Sequence, residues 1–268
     1  MHAFRSEWIK LSRRNTLLGF GGAMVGFAAL ITFIMFLSAG GTDVSMGGSG
    51  DGGPGALASA AALAAPDGAV FAITQAATFL GIITLALFAA NLAGEFSKGT
   101  IRMLFVTEPH RLKVLAGKLT ALATFVAACI ALALGVSIGL GVIVGSSQGI
   151  ATAAWWTAEG AGTILAAYFN VTGVALIYGL LGAMLATVTR SSAIAISFGA
   201  ACFMIVEPLV GSFWDALGDW GPATMLSTFA GGGTAAIGYA TAAVLAAAYG
   251  LASVAVTSTV LVRRDITS

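Results

Sequence analysis

The sequence predicts an all-α integral membrane protein, and three observations carry that prediction. Of 268 residues, 58% are hydrophobic and only 9% are charged, a balance outside the range of soluble globular domains. Apolar runs of about 20 residues, the length that crosses a hydrocarbon core of roughly 30 Å, recur six times along the chain. If those runs alternate in direction, all twelve Lys and Arg residues fall on one side, as the positive-inside rule requires of the cytoplasmic face.

The six expected spans lie near Leu17 to Ala39, Val70 to Ala93, Val114 to Val144, Ala161 to Thr187, Ala193 to Val210 and Ala236 to Val262. The third is longer than a bilayer needs, so its helix is expected to tilt or to continue past the membrane surface. Residues 1–16 precede the first span. Within them Phe4, Trp8 and Leu11 recur at helical spacing while Arg5, Lys10, Arg13 and Arg14 fill other positions. That pattern fits an amphipathic elbow in the inner headgroup region, and equally a basic flank that only sets topology. The run from Leu17 to Ala39 exceeds the roughly 7 to 15 apolar residues of a secretory signal, so it is read as a retained span.

The first outer loop opens with GGTDVSMGGSGDGGPG, too rich in glycine to pack by itself. Its later part, ALASAAALAAP, predicts a short helix ending at Pro66. Neither this loop nor AGKLT at 116–120 makes a phosphate-binding loop, because Lys118 is followed by Leu119 and position 112 is Leu.

Between the second and third runs lies EFSKGTIRMLFVTEPHRLKVLAGK, Glu95 to Lys118. It carries Lys98, Arg102, Arg111, Lys113 and Lys118. Glu95 follows the second span, Gly99-Thr100 interrupts the run, and Pro109 precedes His110-Arg111 where the third helix begins, a position that suits proline. A short helix from Lys98 to Val106 is expected to lie across the cytoplasmic face, with Ile101, Leu104 and Phe105 in need of an apolar partner. For Lys113 and Lys118 the preferred reading is plain topology determination.

Further along, Gly135 with Gly139, Gly141 with Gly145, and Gly22 with Gly26 stand at i, i+4, a spacing that lets helices approach closely; with 36 glycines chance explains part of it. Gln75, Thr78, Asn91, Asn170 and Thr172 sit in or near spans and are expected to bond to neighbouring helices. Cys129 and Cys202 fall inside spans and read as small buried residues. Arg190 lies between spans four and five, and Arg263 and Arg264 follow span six. Both termini are therefore placed in the cytoplasm. The segment 207–235, EPLVGSFWDALGDWGPATMLSTFAGGGTA, is too apolar for an ordinary outer loop. With Trp214 and Trp220 it predicts short helices at the outer leaflet, broken at Gly221-Pro222 and at 231–233.

The chemistry is sparse. His2 and His110 are the only histidines, Ser and Thr have no evident activating partner, and neither catalytic residues nor a metal site are expected. No ionisable residue falls deep within a span, which disfavours an ion-coupled transporter or channel. Glu207, beside Pro208, reads as a membrane-surface residue. A formal net charge of +1 gives no reason to expect nucleic acid.

The order Glu95, Gly99-Thr100, Pro109 with Arg111, then Gly117-Lys118 resembles the permease subunits of ATP-binding-cassette transporters of the type-2 exporter family. The layout of the whole chain resembles it too: a basic amphipathic start, six spans, a hydrophobic insertion before the last, and a terminal Arg263-Arg264-Asp265. The resemblance implies one permease domain over 1–268 in the cell (inner or plasma) membrane, with a coupling segment at 94–113 seated in a separate ATPase. Glu95 would link that helix to span two, and Lys98, Gly99, Thr100, Ile101, Arg102, Leu104 and Phe105 would contact the ATPase, with Pro109 and Arg111 completing the site. It further implies two ATPase subunits that bind ATP and Mg, a second permease chain, no cofactor or enzymatic site in this chain, and outward movement of an amphiphilic drug, lipid or peptide. The glycine-rich first loop departs from subfamilies with large outer domains. A non-transporting membrane scaffold or sensor is the main alternative.

Overall fold

The computed structural model of the chain describes residues 2–39, 58–97 and 111–263. All regular structure in them is helical, and six helices are long and apolar enough to cross a membrane. A short helix α1 (His2–Leu11) precedes the first of these, α2 (Arg14–Ala39), which opens with a π-helical turn at Leu17–Gly21. Two short helices follow, α3 (Ala60–Ala64), capped by the Ser59 hydroxyl, and α4 (Gly68–Gln75). The other long helices are α5 (Ala77–Ser97), α6 (Arg111–Ser147), α7 (Ala158–Thr189), α8 (Ser192–Gly211) and α11 (Tyr239–Arg263). Between α8 and α11 stand α9 (Asp215–Trp220) and α10 (Pro222–Ala230).

Most span boundaries fall where the apolar runs place them. The second does not: its expected start at Val70 belongs to α4, and the chain breaks at Ala76 before α5 begins. No glycine or proline marks that break. It follows from packing, since α4 lies across α2, α6 and α7 instead of continuing in line with α5. The third span is long, as expected. With 37 residues, α6 extends roughly 55 Å at 1.5 Å per residue, well beyond a hydrocarbon core.

The bundle is built around α7, which packs against α5, α11, α8, α6, α10 and α4. α5 and α7 run parallel and come closest, because Gly81 lies against the Tyr178 ring, Gly179 against Phe88, and Gly182 against the Leu85 carbonyl. A second parallel pair, α2 with α6, is joined by the Thr32 hydroxyl donating to Ser137 Oγ at 2.9 Å, and by Phe36 over Gly141 and Gly145. Of the apolar windows, 56% is buried in α5 and in α7, but only 17% in α8 and 22% in α11. The outward faces of the last two, with Ile194, Phe198, Ile205, Val244 and Leu251 exposed, are surfaces made for lipid or another chain.

The glycine pairs divide by use. Gly141 and Gly145 make room for the rings of Phe36 and Trp155, whereas Gly135, Gly139, Gly22 and Gly26 have open space before them. Trp155 is buried edge-on against Phe36, and its indole donates to the Leu63 carbonyl at 3.0 Å. Thr163 reaches the Pro66 carbonyl at 3.1 Å. These contacts tie α3 and α4 to the entry of α7 and close that end of the bundle.

Candidate functional site

Of the expected coupling residues, Glu95 lies in the last turn of α5 and Arg111 opens α6. Lys98, Gly99, Thr100, Ile101, Arg102, Leu104, Phe105 and Pro109, and with them the expected helix from Lys98 to Val106, lie outside the described residues. The surroundings of the segment's attachment points are described. α1 lies along the beginning of α6, with Leu11 and Leu115 buried and Trp8 packed on the core. The start of α2 packs against α5.

At the centre of this end is an ionic cluster built on a buried carboxylate and a buried ammonium, with a third, exposed partner. Glu7 accepts from Lys118 Nζ at 3.1 Å through Oε2 and from Lys10 Nζ at 2.6 Å through Oε1. Glu7 is 5% exposed and Lys118 3%. Burial by itself would raise the Glu7 carboxyl's pKa, but the Lys10 hydrogen bond, together with the charge and hydrogen bond of Lys118, outweighs it and holds the group below its ordinary range. Lys118, read from the sequence as a mark of sidedness, therefore also joins α1 to α6. Glu7 escaped notice, although a signal existed. It is the single acidic residue in MHAFRSEWIKLSRR, one turn from Leu11 and so on the face that α1 buries.

The opposite end holds a second buried carboxylate, Glu207 in α8, 5% exposed. It follows directly on a π-helical turn at Cys202–Val206. Its Oε1 accepts from the backbone N–H of Ala223 at 2.6 Å and of Thr224 at 3.1 Å. The helix it serves, α10, begins after Gly221 with Pro222, so no side chain of its own caps it. Glu207 supplies the acceptor that Gly221 lacks. The membrane-surface reading of Glu207 thus gives way to a structural contact between α8 and α10. The expected short helices and their break at Gly221-Pro222 are both present. Tyr239 stacks on Phe229, and its hydroxyl donates to Asn170 Oδ1 at 2.8 Å, so Asn170 does bond across helices as expected.

These groups serve contacts between helices. Most hydroxyls inside the long helices donate to a carbonyl three or four residues back, as Thr84, Thr124, Ser253 and Thr257 do. Among the described residues no cluster of His, Cys, Asp and Glu could hold a metal ion. Cys129 is buried next to Gly21, and both cysteines are free.

The fold therefore defines a multi-pass membrane protein of six long helices. By its sequence the chain belongs to the family described as "Protein of unknown function (DUF2705)", whose model matches residues 62–267. No curated protein matches it.

Proposed function

We propose that the chain is the membrane-spanning permease subunit of an ATP-driven ABC exporter, paired with a second permease chain and two ATPase subunits that bind ATP and Mg. The observation that carries this reading is the packing of the helix ends that flank residues 98–110. The basic segment leaves α5 and enters α6 at the end where α1 is fastened to α6 through Glu7 and Lys118. A force applied there has a rigid path inward. α5 lies against α7 through Gly81, Gly179 and Gly182 with almost no free space, and α7 contacts most of the remaining helices.

In this reading ATP binding draws the ATPase subunits together and moves the coupling segments with them. Glu95 links that movement to α5, and Arg111 passes it to α6. The pathway lies where two permease chains meet, and the peripheral α8 and α11 leave broad apolar faces for that contact. The substrate class is an amphiphilic drug, lipid or peptide, and the membrane is the cell's inner or plasma membrane with both termini cytoplasmic.

The test is the ATPase rate and transport of the co-purified complex in proteoliposomes. Glu95→Arg and Gly99→Pro are each expected to lower coupled transport about tenfold, equivalent to about 1.4 kcal/mol in the barrier of the limiting step, while the complex still assembles. Wild-type coupled transport in both variants overturns the assignment, as does purification of the chain without any ATPase.

A further inference from the structure

We propose that Glu207 is a latch: it holds α10 in the far end of the bundle, and releasing this one carboxylate contact frees α10 and the turn after it while the α5–α7 core stays fixed. Three features separate the contact from ordinary capping. The acceptor comes from another long helix, sixteen residues before Ala223. A π-helical turn immediately precedes it, a feature frequent where a helix is bent for use. Finally, both of its hydrogen-bond partners are backbone amides. Its partners are the Ala223 and Thr224 amides, so the start of α10 and the positive end of its helix dipole are what hold the carboxylate.

The element so held is built to separate from the core. α10 buries Met225, Leu226, Thr228 and Ala230, but its flanks are loosely tied. On one side Tyr249 donates to the Trp220 carbonyl at 3.1 Å, an exposed bond. On the other, Gly232 and Gly233 adopt left-handed backbone, φ +85 and +103, which permits a reversal that other residues would resist. Asn170 and Tyr239 mark the place where the segment rejoins α11. Release of Glu207 would leave α10 attached by apolar packing alone, with a glycine hinge at its end. Read together with the transporter assignment, such a movement opens the far side of the pathway; the latch itself rests on the contacts above.

Hydrogen exchange of the full chain in lipid nanodiscs, followed by mass spectrometry, reads the latch directly. In Glu207→Ala, amides of 222–233 are expected to exchange about tenfold faster, as local opening requires, while peptides from 171–187 in α7 keep the wild-type rate. Glu207→Gln keeps an acceptor oxygen without the charge and is expected to fall between the two. Tyr249→Phe removes only the exposed bond and is expected to change the rate less than about twofold. Exchange in Glu207→Ala within twofold of wild type overturns the latch, and so does an equal rise in α7, which would make Glu207 a support of the whole fold. If Glu207→Ala does not assemble, Glu207→Gln decides by the same criteria. Failure of Glu95→Arg to uncouple an ATPase would leave this result standing, so the two readings fail separately.

Discussion

Glu7 and Glu207 are the two carboxylates buried among the described residues, one at each end, and they are held by different means. Glu7 has two ammonium partners, whereas Glu207 has only amides. Truncating one member of a buried ion pair costs about 3 kcal/mol, because the desolvated partner loses its counter-charge. Glu7→Ala is therefore expected to lower the unfolding midpoint markedly, and Lys118→Ala less, because Lys10 still faces the carboxylate; Glu7→Leu with Lys118→Met, which removes both buried charges, recovers most of the loss. The pH dependence has a definite sign. Because the Glu7 carboxyl is held below its ordinary value of 4.5, its contribution is complete at pH values above 4.5 and is lost as pH falls through the lower folded value. Thermal unfolding in detergent between neutral and acid pH measures this, and Glu7→Leu/Lys118→Met should lose that acid-sensitive component. Neither carboxylate was legible as a contact in the sequence, because the partners Lys118 and Ala223 are distant along the chain and only the fold brings them together.

At the scale of helices, glycine position matters more than glycine spacing. The i, i+4 pairs were visible in the sequence, but only Gly141 with Gly145 is used within the chain, to seat Phe36 and Trp155. The closest helix contact, α5 with α7, instead rests on Gly81, Gly179 and Gly182, each set against a side chain or carbonyl of the other helix and none of them in an i, i+4 glycine pair. A Cβ at Gly182 would meet the backbone carbonyl of Leu85, and backbone cannot rotate aside as a side chain can. Gly182→Ala is therefore expected to destabilise by about 1–3 kcal/mol, the usual range for overpacking. Gly135→Ala, which enters open space, is expected to leave the unfolding midpoint unchanged or slightly raised, since alanine is the better helix former. Equal losses in the two variants would show that the α5–α7 contact is looser than described. The same tertiary dominance explains the break at Ala76. Apolar length and composition identified the long helices, but they carry no information on where α4 turns aside to cover α6 and α7.

At the scale of the whole molecule, the packing bears on the directions of the long helices, and the charge pattern on which side each end faces. The sequence placed every Lys and Arg on one side by counting spans. The fold brings α1 to the start of α6 through Glu7 and Lys118, and brings the end of α6 to α3 and the start of α7 through Phe36, Trp155 and Leu63. Parallel pairing of α2 with α6, and of α5 and α11 with α7, then fixes alternating directions for the long helices. The consequence can be tested in a chain carrying Cys129→Ala and Cys202→Ala with one new cysteine at a time. Arg13→Cys and Arg190→Cys, both at exposed positions, are expected to react with a membrane-impermeant maleimide from one side only. Ser147→Cys and Ala235→Cys, likewise exposed, should react only from the other. If Arg190 and Ala235 reacted from the same side, then α8, with its buried Glu207, would not cross the membrane. The count would fall to five, and the terminal Arg263 and Arg264 would move to the side without other cations. That arrangement would break the charge rule at its last two residues, so a mixed result would strike at the span count and the proposed cytoplasmic termini together.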